Sequence, residues 1–408
     1  MQTESLSPVG SIPGDGRRAG PQPGIALCLS GGGYRAMLFH LGALWRLNEW
    51  GYLPRLSRVS SVSGGSIVAA ALGACWGRLG FEASGVASGF QAELVAPVRA
   101  LAGRTIDRSA VTLGLATPGS ISRRLANSYA RHIFGKATLQ DLPADGEGPR
   151  FVLNATNLQS GVLWRFSRPY AWDYKVGRID SPKIPLSVAV AASSAFPPVL
   201  GPARLRFKES DFAPDSGEGL QRPPFTTHPV LVDGGVYDNL GLETAWKHYK
   251  TVLVSDGGGA MPPETGALGL AKAWRWRDWG SQSVRVMHVI DSQVRSLRKR
   301  ATIAGFKAPA GSDEHRDGAY WGIRSDISRY KLASSLPCPA TATLKLANLP
   351  TRLAALDEVT QQQLINWGYA VCDTATRRWV DPTLASGGFP YPEAGVSASE
   401  PTTRGSRT

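Results

Sequence analysis

From residue 25 onward the chain alternates short apolar runs with longer stretches of helical period. Ile25-Ala26-Leu27-Cys28-Leu29 is an unbroken apolar run of strand length, and Ser30 with Gly31-Gly32-Gly33 ends it. Met37, Leu41, Leu44 and Leu47 then recur at helical spacing, which predicts a helix from Tyr34 to Trp50 with Gly51 suited to its C-terminal cap. The pattern repeats once: Arg58 to Val62 predicts a strand, and a helix starts at Gly64 and runs through Ile67, Ala70, Ala71 and Ala74. Strands apolar on both faces are those of a parallel sheet, and a β-α-β crossover returns the second strand parallel to the first. The turns after both strands therefore share the carboxyl edge of one sheet, where open α/β folds keep their sites. Two later runs have the same form: Val230-Leu231-Val232 ends at Asp233, and Thr251 to Ser255 ends at Asp256.

Elsewhere the pattern is weaker. Residues 80–150 are mainly helical in period with few strong apolar faces and read as a cap region. Residues 1–23 and 386–408 are polar, rich in Gly, Pro and Ser, and aperiodic, so they read as disordered tails around one catalytic domain, 24–385. Trp274-Arg275-Trp276-Arg277-Asp278-Trp279, extended by Arg295, Arg298, Lys299 and Arg300, resembles an interfacial aromatic–basic patch. The simpler reading is an amphipathic helix with Val284, Met287, Val294 and Leu297 turned inward. The stretch from Pro350 to Tyr369 reads as a structural helix.

Composition adds bounds. The 408 residues are 42% hydrophobic and 19% charged, as in a globular protein with a sizeable core. The net charge of +13 is spread along the chain and favours anionic partners. No dense Lys/Arg tract or nucleic-acid module accompanies it, so no nucleic-acid partner is expected. The first 23 residues have no apolar core of a signal peptide, and no run reaches the roughly 18 apolar residues a membrane span needs. The expected location is the cytoplasm, with any membrane contact peripheral and directed at anionic lipid. Cys28, Cys75, Cys338 and Cys372 lack paired spacing and read as free thiols in a reducing compartment.

The chemistry lies in the two turns. Ser61-Val62-Ser63-Gly64-Gly65, between an apolar strand and a helix, has the form of a nucleophile elbow, with Ser61 in place of the first glycine of GxSxG. Gly31-Gly32-Gly33-Tyr34-Arg35 leaves backbone N–H groups free at a helix start, the geometry of an oxyanion hole. A phosphate cradle would need a following Gly-Lys-Ser/Thr or a GxGxxG spacing, and neither is present. The serine needs a base. In the order Ser…Asp…His, Ser63, Asp233 and His288 qualify, but His288 lies within a regular element rather than a loop. A carboxylate is the better base, and pattern alone leaves Asp233-Gly234-Gly235 and Asp256-Gly257-Gly258 as equals.

Four segments together resemble a bacterial patatin-like phospholipase over roughly residues 24–373. They are Gly31-Gly32-Gly33-Tyr34-Arg35-Ala36, Val62-Ser63-Gly64-Gly65-Ser66, Ala192-Ser193-Ser194-Ala195-Phe196-Pro197-Pro198, and Asp233-Gly234-Gly235-Val236-Tyr237-Asp238-Asn239. The resemblance implies a three-layer α/β/α fold with a mainly parallel central sheet. It also implies a Ser–Asp dyad without histidine: Ser63 as nucleophile and Asp233 as base, with Asp256 the alternative. Gly31, Gly32 and Gly33 would form the oxyanion hole, with Arg35 orienting the loop. The implied activity is hydrolysis of phospholipid or lysophospholipid acyl esters through an acyl-enzyme, with no metal or organic cofactor. An acyltransferase of the same fold and a silent lipid-binding or regulatory module are the alternatives. A defence effector is a further role, and the sequence does not disclose the oligomeric state.

Overall fold

The computed structural model describes residues 20–107, 120–197, 200–259 and 275–397. The first two apolar runs form parallel strands β1 (Gln22–Leu29) and β2 (Leu56–Val62), and helices α1 (Gly33–Glu49) and α2 (Gly64–Cys75) follow them. After α3 (Ala96–Ala102) and α4 (Ser120–Tyr129) come β3 (Arg150–Asn157), β4 (Val162–Phe166), β5 (Tyr170–Asp173), β6 (Gly177–Asp180) and α5 (Leu186–Ser193). Then follow β7 (Ala203–Arg204), β8 (Val230–Asp233), the short helices α6 (Gly235–Asp238) and α7 (Glu243–Trp246), and β9 (Tyr249–Asp256). The long α8 (Arg275–Lys307), β10 (Asp317–Gly322), α9 (Ala340–Ala347) and α10 (Glu358–Trp379) complete the order.

One ten-stranded sheet runs β10-β9-β1-β2-β3-β4-β5-β6, with β8 against β3 and β7 against β8. The five strands from β10 to β3 are mutually parallel, and β4, β5 and β6 continue as an antiparallel meander. Alternation along β1 builds the layers. Leu27 and Leu29 enter a core with α1, α2 and α10, whereas Ala26 and Cys28 face Leu242, Ala245, Ile303 and Phe306 of α7 and α8 or their flanks. The fold is the three-layer α/β/α expected, with a mostly parallel central sheet.

Two glycines bring α1 and α10 to backbone contact. A Cβ on Gly42 would stand 1.9 Å from the Ile365 carbonyl oxygen, and one on Gly368 1.8 Å from that of Phe39. No other residue fits at either crossing point.

β8 runs against the parallel strands. It is antiparallel to β3, pairing Asp233 with Ala155, while β2 is parallel to β3 and pairs Val62 with Asn154. β2 and β8 thus lie end to end along one side of β3, with their carboxyl ends meeting. That places the residue after Val62 beside Asp233.

Three further expectations meet the structure. Residues 386–397 are packed rather than a free tail: Val396 is buried, Tyr391 lies edge-on to Trp45 at 5.8 Å, and the Asn366 side chain donates to the Tyr391 and Gly395 carbonyls. Residues 1–19 and 398–408 lie outside the described residues. In α8, Met287 and Leu297 face solvent at 40% and 59% exposure instead of pointing inward, because the inner face of the helix between Asp291 and Arg298 is polar. Trp274 and the side chains of residues 275–279 and Val284 lie outside the described residues. The stretch 80–150 supplies α3 and α4, whose Val98, Leu101, Leu125 and Tyr129 are buried in the main core. Among the described residues no helix is long and apolar enough to cross a membrane.

Candidate active site

The elbow is tight because β2 runs into α2 with one residue between them. Ser63 takes φ 51° and ψ −118°, a sparsely populated conformation that costs on the order of 1–3 kcal/mol unless its surroundings impose it. The surroundings here are backbone. A Cβ on Gly64 would lie 2.3 Å from the Gly33 carbonyl oxygen, and one on Gly65 would lie 2.4 Å from that of Leu29. The start of α2 is therefore pressed against the glycine turn after β1, and Gly65 N–H donates to the Ser30 carbonyl at 3.1 Å.

Beneath the elbow lies a buried chain of hydroxyls that motif reasoning missed. Ser193, at the end of α5, accepts from the Ser63 backbone N–H at 3.0 Å and donates to the Asn154 carbonyl at 2.6 Å. Its oxygen also lies 2.9 Å from Ser66 Oγ, which lies 3.0 Å from Ser61 Oγ. Ser61 donates in turn to the Val152 carbonyl. The serine in place of the first motif glycine is thus a member of this network. The Ser193-Ser194 segment was visible in the sequence as a small-residue run, but its register against β2 was not.

Asp233 is buried at the carboxyl end of β8, where its carboxyl accepts a hydrogen bond from Gly235 N–H at 2.7 Å and lies near the Ser63 hydroxyl. Burial lifts its pKa from 3.8 to about 7, against the Gly235 hydrogen bond and the nearby Ser63 hydroxyl; Asp291 adds to the rise and Arg295 opposes it. Its backbone is fixed by Asp233 N–H donating to the Ala195 carbonyl and by the Thr156 hydroxyl donating to the Asp233 carbonyl.

Asp256 is equally buried but differently employed. Its carboxyl accepts from the Tyr320 hydroxyl at 2.6 Å, from Ser30 Oγ at 3.2 Å and from Gly258 N–H at 3.0 Å. Burial alone would raise its pKa. Arg295, Tyr320, Gly258 and Lys299 outweigh that and hold it below the usual carboxylate value. It anchors the loop behind the glycine turn.

Within that turn the amides differ. Gly31 N–H donates to the Asn239 carbonyl at 3.2 Å, while Gly32 and Gly33 N–H have no hydrogen-bond partner among the described residues. Gly31 matters for space, since a Cβ there would lie 3.2 Å from Ser63 Cβ. Gly32 (φ 145°) and Gly33 (φ 61°) hold conformations that favour glycine. Arg35 lies behind the turn. Its Nε donates to the Gly257 carbonyl at 3.2 Å, and its Nη atoms donate to the Leu349 carbonyl and, at 3.0 Å, to Thr351 Oγ1. Tyr34 N–H donates to the Arg352 carbonyl, so residues 349–352, ahead of α10, brace the turn as well.

The histidines stand apart from this pair. His288, on α8, packs against the Phe196 ring at 6.0 Å, and no histidine is among the groups that shift Asp233. His40 lies 2.8 Å from Ser255 Oγ and 3.0 Å from the Ser30 carbonyl, and burial lowers its pKa to about 4. All four cysteines are buried and unpaired.

A family model described as patatin-like phospholipase matches residues 27–246. That span holds the glycine turn, Ser63, Ser193 and Asp233 but ends before Asp256 and α8. No curated protein matches the sequence. Among solved structures, human GIVD cytosolic phospholipase A2 aligns over 87% of this chain and 61% of its own, at 12% identity and a TM-score of 0.48. The same enzyme in complex with methyl gamma-linolenyl fluorophosphonate aligns over 87% and 58%, at 14% identity and 0.47. VipD from Legionella pneumophila aligns over 87% and 66%, at 14% identity and 0.34. The chain spans less than two thirds of each of these proteins.

Proposed function

The chain belongs to the patatin-like phospholipase family, and from that premise we propose that it hydrolyses the acyl ester of a phospholipid or lysophospholipid with a Ser63–Asp233 dyad. The observation that carries the reading is the sheet register that sets Ser63 next to a buried carboxyl whose pKa lies near 7. A base with that pKa is ionised in a useful fraction at neutral pH and still basic enough to take a proton.

In the first half-reaction Asp233 takes the Ser63 proton while Ser63 Oγ bonds to the ester carbonyl carbon. The carbonyl oxygen becomes an oxyanion, held by the Gly32 and Gly33 amides; each such donor contributes roughly 3 kcal/mol to a transition state. Collapse of the tetrahedral species expels the alcohol, which leaves with the proton from Asp233, and an acyl-Ser63 ester remains. In the second half-reaction Asp233 takes a proton from water, the hydroxide attacks the acyl carbon, and the fatty acid departs as Ser63 regains its proton. Gly31 keeps the space beside Ser63 open, Arg35 fixes the turn, and Asp256 holds the loop behind it. The substrate arrives from a lipid surface, so the protein works in peripheral contact with a membrane.

The test is release of free fatty acid from phosphatidylcholine and lysophosphatidylcholine by purified protein. Wild type should release it and Ser63→Ala should not. Full release by Ser63→Ala would end the reading.

A further inference from the structure

Ahead of the inward-packed Ile303 and Phe306, the Val286–Arg298 stretch of helix α8 is inverted in polarity. Its inward face is polar: Asp291 accepts from the Asn239 amide at 2.9 Å, Arg295 donates to the Gly259 carbonyl at 3.0 Å, and Arg298 donates to the Tyr237 carbonyl at 3.1 Å. Arg298 also lies 3.6 Å from both Asp238 and Glu243. The outward face is apolar. Val286, Ile290 and Leu297, spaced for one side of a helix, are 56%, 57% and 59% exposed, and Val289 and Met287 flank them. Exposed apolar residues are ordinary singly, but a contiguous stripe of this kind marks a surface that meets a partner.

We propose that this stripe docks the protein on an anionic phospholipid bilayer, with α8 lying in the plane of the membrane surface. The position fits the site, because α8 carries Asp291 and Arg295, both of which act on the Asp233 carboxyl, and His288 packs on Phe196 of the segment that fixes Asp233. The neighbouring α6, three residues beyond Asp233, exposes Val236 as well. Charge selects the occupant. Of the six Lys or Arg in residues 285–307, Arg295 and Arg298 face inward together with the single acid, Asp291, while Arg300 and Lys307 are exposed. A basic helix with an apolar face binds anionic lipid through both terms. A second copy of this chain, paired through the same stripe by two-fold symmetry, would oppose the same positive field.

The inference rests on the lipid-hydrolase reading for its purpose, and its test separates the two. The full chain is sedimented with vesicles of equimolar phosphatidylglycerol and phosphatidylcholine, and with phosphatidylcholine alone. Wild type should partition onto the anionic vesicles about tenfold better, and 0.5 M salt should remove most of that difference. Val286→Glu/Ile290→Glu and, separately, Leu297→Glu should each lower binding by about tenfold. Their melting temperature and their hydrolysis of soluble p-nitrophenyl butyrate should stay near the wild-type values. Unchanged vesicle binding by both variants would overturn the proposal. So would a wild-type dimer in sedimentation velocity that either variant dissociates, which would make the stripe a subunit interface. Vesicle binding as described, with no hydrolysis of any ester by wild type, would sink the hydrolase reading and leave the docking surface standing.

Discussion

Ser63 and Asp233 are neighbours because two strands of opposite direction end at adjacent positions on β3: Val62 opposite Asn154, and Asp233 opposite Ala155. The proposed nucleophile and base are thus set by sheet register rather than by loops.

The state of Asp233 sets a pH dependence. The reaction needs its ionised form, so kcat/KM should rise with pH through about 7 and level above it, because burial holds the pKa there. A profile flat from about pH 5 to 8 in an active enzyme would contradict this role. The same shift has a stability consequence. The folded pKa lies about three units above the ordinary 3.8, so the native state binds more protons than the unfolded state between those values. Stability should therefore fall as pH rises from about 4 through 7, by up to roughly 4 kcal/mol. Asp233→Asn removes that titration. It should abolish turnover yet melt higher than wild type at pH 8, with the difference shrinking toward pH 4.

Asp256→Asn should behave in the opposite way. The substitution leaves Arg295 and Lys299 without the buried charge they oppose and disturbs the Tyr320 and Ser30 hydrogen bonds. Its expected cost is about 3 kcal/mol in denaturant unfolding, with Ser63 still reactive in the folded fraction. Loss of activity at unchanged stability, with Asp233→Asn still active, would move the base to Asp256.

Ser193→Ala tests the hydroxyl chain under the elbow. It removes the partner of the part-buried Ser63 N–H and of the buried Asn154 carbonyl, at about 1–3 kcal/mol of stability. Because Ser193 positions the nucleophile without touching substrate, kcat should fall by about tenfold or more while KM changes little. An equal loss in KM would point to a role in binding instead.

Gly64→Ala and Gly77→Ala form a matched pair. A Cβ at Gly64 meets the Gly33 carbonyl oxygen at 2.3 Å and Gly33 N at 2.9 Å, so the elbow and the glycine turn must separate. Misplacement of about 1 Å at a reacting centre costs on the order of a hundredfold in rate. A Cβ at Gly77 meets nothing within 4 Å, and that variant should match wild type in rate and melting temperature. Equal activity of the two variants would show that the contact between turns does not set the site.

The parts of this arrangement differ in how far the sequence announces them. β1, β2 and the helices after them were readable because apolar run, glycine turn and helical period are local signals, and their parallel pairing follows from handedness. The antiparallel insertion of β8 was not readable. Residues 230–233 look like any short buried strand, and only their pairing with 155–157 fixes their direction. For the same reason Asp233 and Asp256 read as equals, although one lies beside Ser63 and the other receives the Tyr320 hydroxyl. Residues 386–397 looked like a tail because Gly and Pro dominate them, yet Tyr391 and Val396 find sites on α1 and α10. The inward turn expected for Met287 and Leu297 failed because helical period marks a face without saying which way it points, and ion pairs draw the polar face of α8 inward.

The most direct measurement is the site and rate of modification by a long-chain alkyl fluorophosphonate, read by intact mass and peptide mapping. The account predicts a single adduct on Ser63, absent in Ser63→Ala and slowed by about a thousandfold in Asp233→Asn, with phospholipid hydrolysis lost in parallel. Labelling of a different residue, or hydrolysis that persists in Ser63→Ala, would contradict it.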